Sequence, residues 1–160
     1  MRRILPAVLA LAALIGVLPA AAISRADFDR VVDFSITLKD LAAAADGSGR
    51  LPAGRLCVLN GTVSDVEIVS RDEATFRVRI ELITGEWIGT EDVRSYSCYV
   101  EFSGPEFFKV FPPRPPRTPV PGTVVINSRV IVVGRPLDIT KTPQGENRVR
   151  VEGMLVRTVE

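Results

Sequence analysis

Glu86, Glu91 and Asp92 stand close together in the chain, with Trp87 beside the first of them. Two carboxylates can divide acid and base work, and an indole can stack on a sugar ring, so this stretch is the candidate site of an envelope hydrolase or nuclease. The same residues also suit a solvated acidic loop, with Trp87 capping one end of the core. No neighbouring group in the sequence would raise a carboxylate pKa for proton donation. The chain contains no histidine, which removes the usual general base, the triad base and the commonest transition-metal ligand. The expectation is a protein that is not an enzyme and carries no cofactor or metal.

Cys57 and Cys98 are the only thiols. In an oxidising compartment they can close a disulfide over a loop of about 40 residues, adding roughly 3 to 4 kcal/mol on the chain-entropy model. The other reading is a pair of small buried hydrophobes. Sequence spacing leaves both open, because the separation of the two Cα atoms decides. Two cysteines without histidine do not supply the four ligands of a zinc site.

The compartment is read from the N-terminus. Arg2 and Arg3 precede an apolar stretch from Ile4 to Leu18, and Pro19, Ala20, Ala21 and Ala22 follow. A basic start, an apolar run and a small-residue cleavage site make residues 1–22 a signal peptide, so the expected protein is periplasmic or secreted. If the segment is retained, Ile4 to Ile23 is long enough to anchor the chain in a membrane. The chain carries 20 basic and 19 acidic residues; losing Arg2 and Arg3 with the leader reverses that excess by one. So balanced a charge gives no electrostatic reason to expect a polyanion partner. An apolar fraction of 46% over 160 residues is a folding composition of single-domain size.

Residues 23–55 read as an N-terminal attachment. Val32, Phe34, Ile36 and Leu38 alternate with polar residues and predict a short strand. Thr37 and Asp40 form the looser capping-box pattern ahead of the helix formers Leu41 to Ala45, and Gly47 to Gly54 read as a loop. Residues 56–160 form the main domain. Leu56 to Val69 is a long strand interrupted by Gly61. Cys57, Leu59, Gly61 and Val63 share one parity, while Val66 and Ile68 take the other, so a bulge turns this strand around a corner.

Phe76, Val78, Ile80 and Leu82 then alternate with Arg77, Arg79 and Glu81, and Thr84 to Gly89 read as a connection. Tyr96, Cys98, Val100 and Phe102 make the inner face of a third strand. Pro105 to Phe111 suits a helical turn that packs Phe107, Phe108 and Phe111 on the sheet, followed by a proline-rich connector over residues 112–121. Arg129 to Gly134 reads as a strand buried on both faces, Leu137 to Asn147 as a loop, and Arg148 to Val159 as a final strand bulged at Gly153.

A long bulged strand, two meandering strands, a connector and two closing strands resemble the OB-fold. The expected class is therefore mainly β: a five-stranded OB-like Greek-key barrel with a short N-terminal strand/helix attachment. An immunoglobulin-like sandwich needs seven strands, and this chain offers five. The OB resemblance implies ligands across the outer face of the second and third barrel strands, which carries Arg77, Arg79, Ser95, Ser97 and Tyr99. Guanidinium groups with an aromatic ring suit single-stranded nucleic acid or an oligosaccharide. Glu81 and Glu101 on the same face equally suit a solvated sheet with cross-strand charge pairs. Arg114 and Arg117 among the prolines offer either a preformed recognition segment or a stiff spacer. Taken together, the sequence predicts a non-catalytic exported binding or scaffold protein of the cell envelope, whose partner is a protein or envelope component, with nucleic acid or glycan as the alternative.

Overall fold

Alternating apolar side chains can bury one face of a strand only if neighbouring strands bring matching faces to it. In the computed structural model, which describes residues 25–159 apart from 53, 115, 117 and 119, they do. The leader expected over residues 1–22, its alternative as an anchor, and Pro115, Arg117 and Pro119 of the connector lie outside the described residues. The elements are α1 (Arg25–Val31), β1 (Val32–Asp33), α2 (Leu38–Ala45), β2 (Leu56–Ser70), β3 (Arg77–Ile88), β4 (Asp92–Ser103), a 3-10 turn (Pro105–Phe107), β5 (Arg129–Lys141) and β6 (Asn147–Thr158). Among them no helix is long and apolar enough to cross a membrane.

The sheet runs in the order β1-β2-β3-β4-β6-β5, and β5 pairs back onto β2. All neighbours are antiparallel except β4 with β6 and β1 with β2. Strands β2 to β6 therefore form a closed five-stranded sheet with OB-fold order, and β1 adds a two-residue edge beside Leu56 and Cys57. β2 makes the closure. Its residues Cys57 to Thr62 pair with β5 and Thr62 to Ser70 with β3, so Thr62 is flanked on both sides. At Gly61 a Cβ would lie 2.7 Å from the Ile83 carbonyl oxygen and 2.9 Å from Leu82 Cγ, which is why no side chain stands there. The parity change after Val63 coincides with a register shift between Val63 and Asp65.

Inside the ring lie Leu59 and Val63 of β2, Val78, Ile80 and Leu82 of β3, Val100 and Phe102 of β4, Val130 and Val132 of β5, and Val149 and Val151 of β6. α2 adds Leu38, Leu41 and Ala45, whose spacing puts them on one helical face. Its start is fixed by a full capping box, in which Asp40 accepts from the Thr37 backbone at 2.8 Å while Thr37 Oγ1 accepts from the Asp40 N–H at 3.3 Å. From the 3-10 turn and the residues after it, Phe107 and Phe111 pack on Phe102 with ring centroids 4.9 and 5.2 Å apart, and Phe108 meets Phe76 edge-on at 5.4 Å.

Four expectations are corrected. The predicted strand over Val32 to Leu38 is only Val32–Asp33, preceded by a helix. The Asp33 carboxylate accepts both the N–H and the hydroxyl of Ser35, a local turn that competes with strand pairing, and leaves Phe34 62% exposed. Thr84 to Gly89 is no connection: β3 continues to Ile88 and turns at Gly89, whose φ is 73°. Arg129 to Gly134 is buried on one face only, because among the described residues no second layer covers Ile131 outside the ring. The strand continues through Leu137, and Asp138 to Lys141 pair with β6, so the loop shrinks to residues 142–146. Pro136 is tolerated because it sits at a register shift, where the ladder is already interrupted.

The cysteine pair resolves as two free thiols, both fully buried, rather than a disulfide. Cys57 Sγ donates to the Gly134 carbonyl at 3.3 Å. Burial is the main cause that pushes the Cys57 thiol from its ordinary 9.0 up to about 11, and burial raises Cys98 as well. A raised native pKa means that the folded state holds its proton where the unfolded state has lost it. The resulting stability is intact below pH 9 and lost as pH climbs towards 11. We expect the urea midpoint to fall across that window. We also expect a thiol reagent to find both cysteines only after unfolding; an unfolded, unreduced chain that titrates none would restore the disulfide.

Gly153 tests the packing more locally, because a Cβ there would run into the Phe102 ring, which Phe107 and Phe111 hold in place. Gly153→Ala is expected to destabilise the fold by about 1–3 kcal/mol, read as a lower urea midpoint at unchanged slope.

Candidate binding face

On β3 and β4 the residues left outside the ring alternate with the core. Arg77, Arg79 and Glu81 face out from β3, and Tyr99 and Glu101 from β4. The register sets Arg79 opposite Glu101 and Glu81 opposite Tyr99. Arg79 Nε donates to Glu101 Oε1 at 3.1 Å and Nη1 donates to Glu67 Oε2 at 3.2 Å, while the guanidinium carbon lies 5.5 Å from the Tyr99 ring centroid. Glu101 also meets Arg150 at 3.6 Å, and Arg150 pairs with Asp138. The Arg150 hydrogen bonds hold the Asp138 carboxyl below its ordinary range. Glu67, Arg79, Glu101, Arg150 and Asp138 thus form one charge row across five strands. Each exposed pair is worth about 0–1 kcal/mol, so the row orients side chains more than it stabilises the fold.

The predicted face is therefore partly assembled. Arg79 and Tyr99 are brought together, and Arg77 stands exposed on the same side with no ion pair among the described residues. Ser95 is exposed, whereas Ser97 is buried. A hollow of about 320 Å³ beside Tyr99 is lined by Asp65, Glu67, Arg79, Glu81 and Pro143. Acids thus surround the ring where the sequence drew attention to cations.

Trp87 is not part of this cluster. It lies near the tip of the β3–β4 hairpin opposite Val93, 71% exposed, and does not cap the core. Glu86 faces α2 instead, accepting from Lys39 Nζ at 2.8 and 3.0 Å and from the Tyr96 hydroxyl at 2.8 Å. The Lys39 hydrogen bond, then that of Tyr96, lowers the Glu86 pKa, opposite to what a proton donor at neutral pH requires. Glu91 and Asp92 sit exposed where the hairpin turns. Among the described residues no group of three His, Cys, Asp or Glu side chains is placed to hold a metal ion.

The sequence reading allowed cross-strand charge pairs on this face, as Arg79 with Glu101 now shows, but the full charge row and the Lys39–Glu86–Tyr96 cluster escaped it. Both join residues far apart in the chain, and only the strand register and the docking of α2 bring them within reach.

No protein-family model matches the chain, and no curated protein matches it in sequence. Among solved structures it is similar to the small single-stranded DNA-binding protein from Streptomyces coelicolor, with 12% identity over 65% of this chain and 91% of that one at a TM-score of 0.42. It is similar also to the Plasmodium falciparum SSB in complex with ssDNA, with 14% identity over 66% and 94% at a TM-score of 0.40. The N-terminal domain of PriB from Thermoanaerobacter tencongensis is similar to it at 13% identity over 66% and 96%, with a TM-score of 0.40.

Proposed function

We propose that the protein is a non-catalytic binding module that holds an extended polymer, in the first place a single-stranded nucleic acid, across the outer face of β3 and β4. The observation that carries the reading is the half-buried Tyr99 ring with the Arg79 guanidinium over it. Glu67 and Glu101 tether that guanidinium, so phenol and guanidinium make a fixed planar surface on which a base can continue the stack. Stacking of this kind is indifferent to sequence, since every base has a flat face. Arg77, exposed two residues along the same side of β3, is the group for a phosphate.

Because carboxylates already meet the charge of Arg79, few phosphates are neutralised and the salt dependence is shallow. The signal peptide read over residues 1–22 supports an exported setting for this binding, periplasmic or secreted.

The hollow beside Tyr99 favours a second reading. Asp65, Glu67 and Glu81 line it, and carboxylates accept sugar hydroxyls but repel phosphates, which suits a neutral oligosaccharide stacked on the same ring.

A fluorescent oligothymidylate and a chitooligosaccharide, each titrated at low salt, separate the two. For the first reading, oligothymidylate binds, Tyr99→Ala weakens it by about 1–3 kcal/mol, and Arg77→Ala flattens the salt slope by about 0.7. Binding of the sugar alone, equally dependent on Tyr99, sustains the second. If neither probe binds, or binding ignores Tyr99→Ala, the proposal is overturned.

A further inference from the structure

A strand with one face in the core is expected to turn polar residues outward, and β2, β5 and β6 break that rule together. Their register stacks the outward side chains into rows: Val58, Val133 and Leu155 make one, and Asn60, Ile131 and Arg157 make the next. Val58 and Val133 are half-buried, while Ile131 and Leu155 are 38% and 44% exposed. Met154, the unpaired residue where the β5–β6 register shifts, is exposed beside Leu155. An apolar patch therefore crosses three strands, roughly 10 Å from β2 to β6. It lies on other strands than Arg79 and Tyr99.

The border of the patch is cationic. Arg157 stands level with Ile131, and Arg129 lies one outward step beyond it on β5; both are exposed, and neither makes an ion pair among the described residues. At the other end Arg135 meets Glu152 at 3.9 Å. Three cations against one acid leave this face a positive charge of its own, whereas Glu67 and Glu101 neutralise Arg79 on the other. A second copy of the chain would set that excess against itself. A flat bilayer fits poorly too, because valine and isoleucine end close to the sheet and the arginines reach past them, so the apolar carbon lies in a shallow trough. A narrow segment bearing apolar side chains and carboxylates fits both features. The first leave water on Val133 and Leu155, and the second meet guanidinium groups that have no carboxylate of their own.

We propose that the outer face of β2, β5 and β6 docks an acidic, apolar-patterned segment of a partner protein, its apolar side chains on Val58, Val133 and Leu155 and its carboxylates on Arg129 and Arg157. This site is independent of the one at Tyr99.

The test selects displayed peptides of random sequence on the full chain and maps a selected peptide by backbone amide shifts. Selected peptides are expected to combine Asp or Glu with apolar residues, to shift the amides of Ile131, Val133 and Leu155, and to bind less tightly as salt rises. Leu155→Ser should weaken them by about tenfold. Arg129→Glu together with Arg157→Glu should weaken them by at least about tenfold, and a peptide whose acids are replaced by Lys should bind that variant again. Both arginines are exposed, so this reversal keeps the test decisive if Leu155→Ser does not fold. Failure to select any peptide, selected peptides without acids, shifts confined to other strands, or indifference to the charge reversal would refute the proposal. So would phosphatidylglycerol vesicles whose binding the charge reversal abolishes, or a dimer that Leu155→Ser dissolves, which would hand the face to lipid or to a second copy.

Discussion

The structure depends on β2 serving two neighbours in succession. Up to Thr62 it belongs with β5 and from Thr62 with β3, and a strand can change partners over so short a distance only by bending sharply. Gly61 permits the bend because its α-carbon lies against the Ile83 carbonyl, where a side chain would collide. The bend is sealed from the other side by the segment entering β5. Val63 donates to the Ser128 carbonyl, and Asn127, with φ of 70°, donates to the Val63 carbonyl, at 2.9 and 2.8 Å. Without this corner the five strands would lie as an open sheet with two long edges, a form prone to pairing with other chains.

Closure also dictates what the surface can be. Each strand of the ring buries alternate residues, so the outward set is decided by parity and the lateral order by register. Arg79 meets Glu101 because the β3–β4 register puts them opposite. Glu101 meets Arg150 because β6 lies parallel on the far side, with Glu101 level with Glu152 and Tyr99 level with Arg150. The charge row is thus a product of closure, and it turns what would be a cationic patch into a neutral surface with one stacked aromatic. An aromatic of this kind selects flat ligand groups. A free row of arginines would select charge.

Much of the barrel was legible because its signal is local. The alternation of Phe76, Val78, Ile80 and Leu82, the parity change after Val63 and the glycine at position 61 each report on their own strand, and each appears where read. The capping box at Thr37 and Asp40 is equally local and present. What failed did so for lack of a partner. Val32, Phe34, Ile36 and Leu38 alternate as a strand should, but β2 offers pairing only at Leu56 and Cys57, and the Ser35 turn takes the chain away. Ile131 and Val133 read as doubly buried, yet among the described residues no layer covers Ile131, and Val133 is only half-buried. The site was half legible for the same reason: Arg79 and Tyr99 could be placed on a face, but Glu67 and Arg150, which decide the charge of that face, enter only through non-local pairing.

The candidate face and the docking of the N-terminal attachment share one cause. The ring must include a parallel contact between β4 and β6, and parallel pairing is the less stable kind and demands a long crossover, here the Phe107–Phe111 turn, the connector and β5. That crossover anchors the seam at its Phe102 end, where Phe107 and Phe111 pack, so pairing with β6 holds at Tyr99–Glu101 and β4 runs on towards the hairpin tip paired with β3 alone. Where the seam holds, Tyr99 and Arg79 lie on continuous sheet and form a face. Where it parts, α2, arriving from the N-terminal side, packs against β4 and closes the core through Leu38 and Leu41 without supplying a strand. The N-terminal attachment is therefore part of the barrel's closure: it keeps water from the core at the place where the sheet itself stays unzipped.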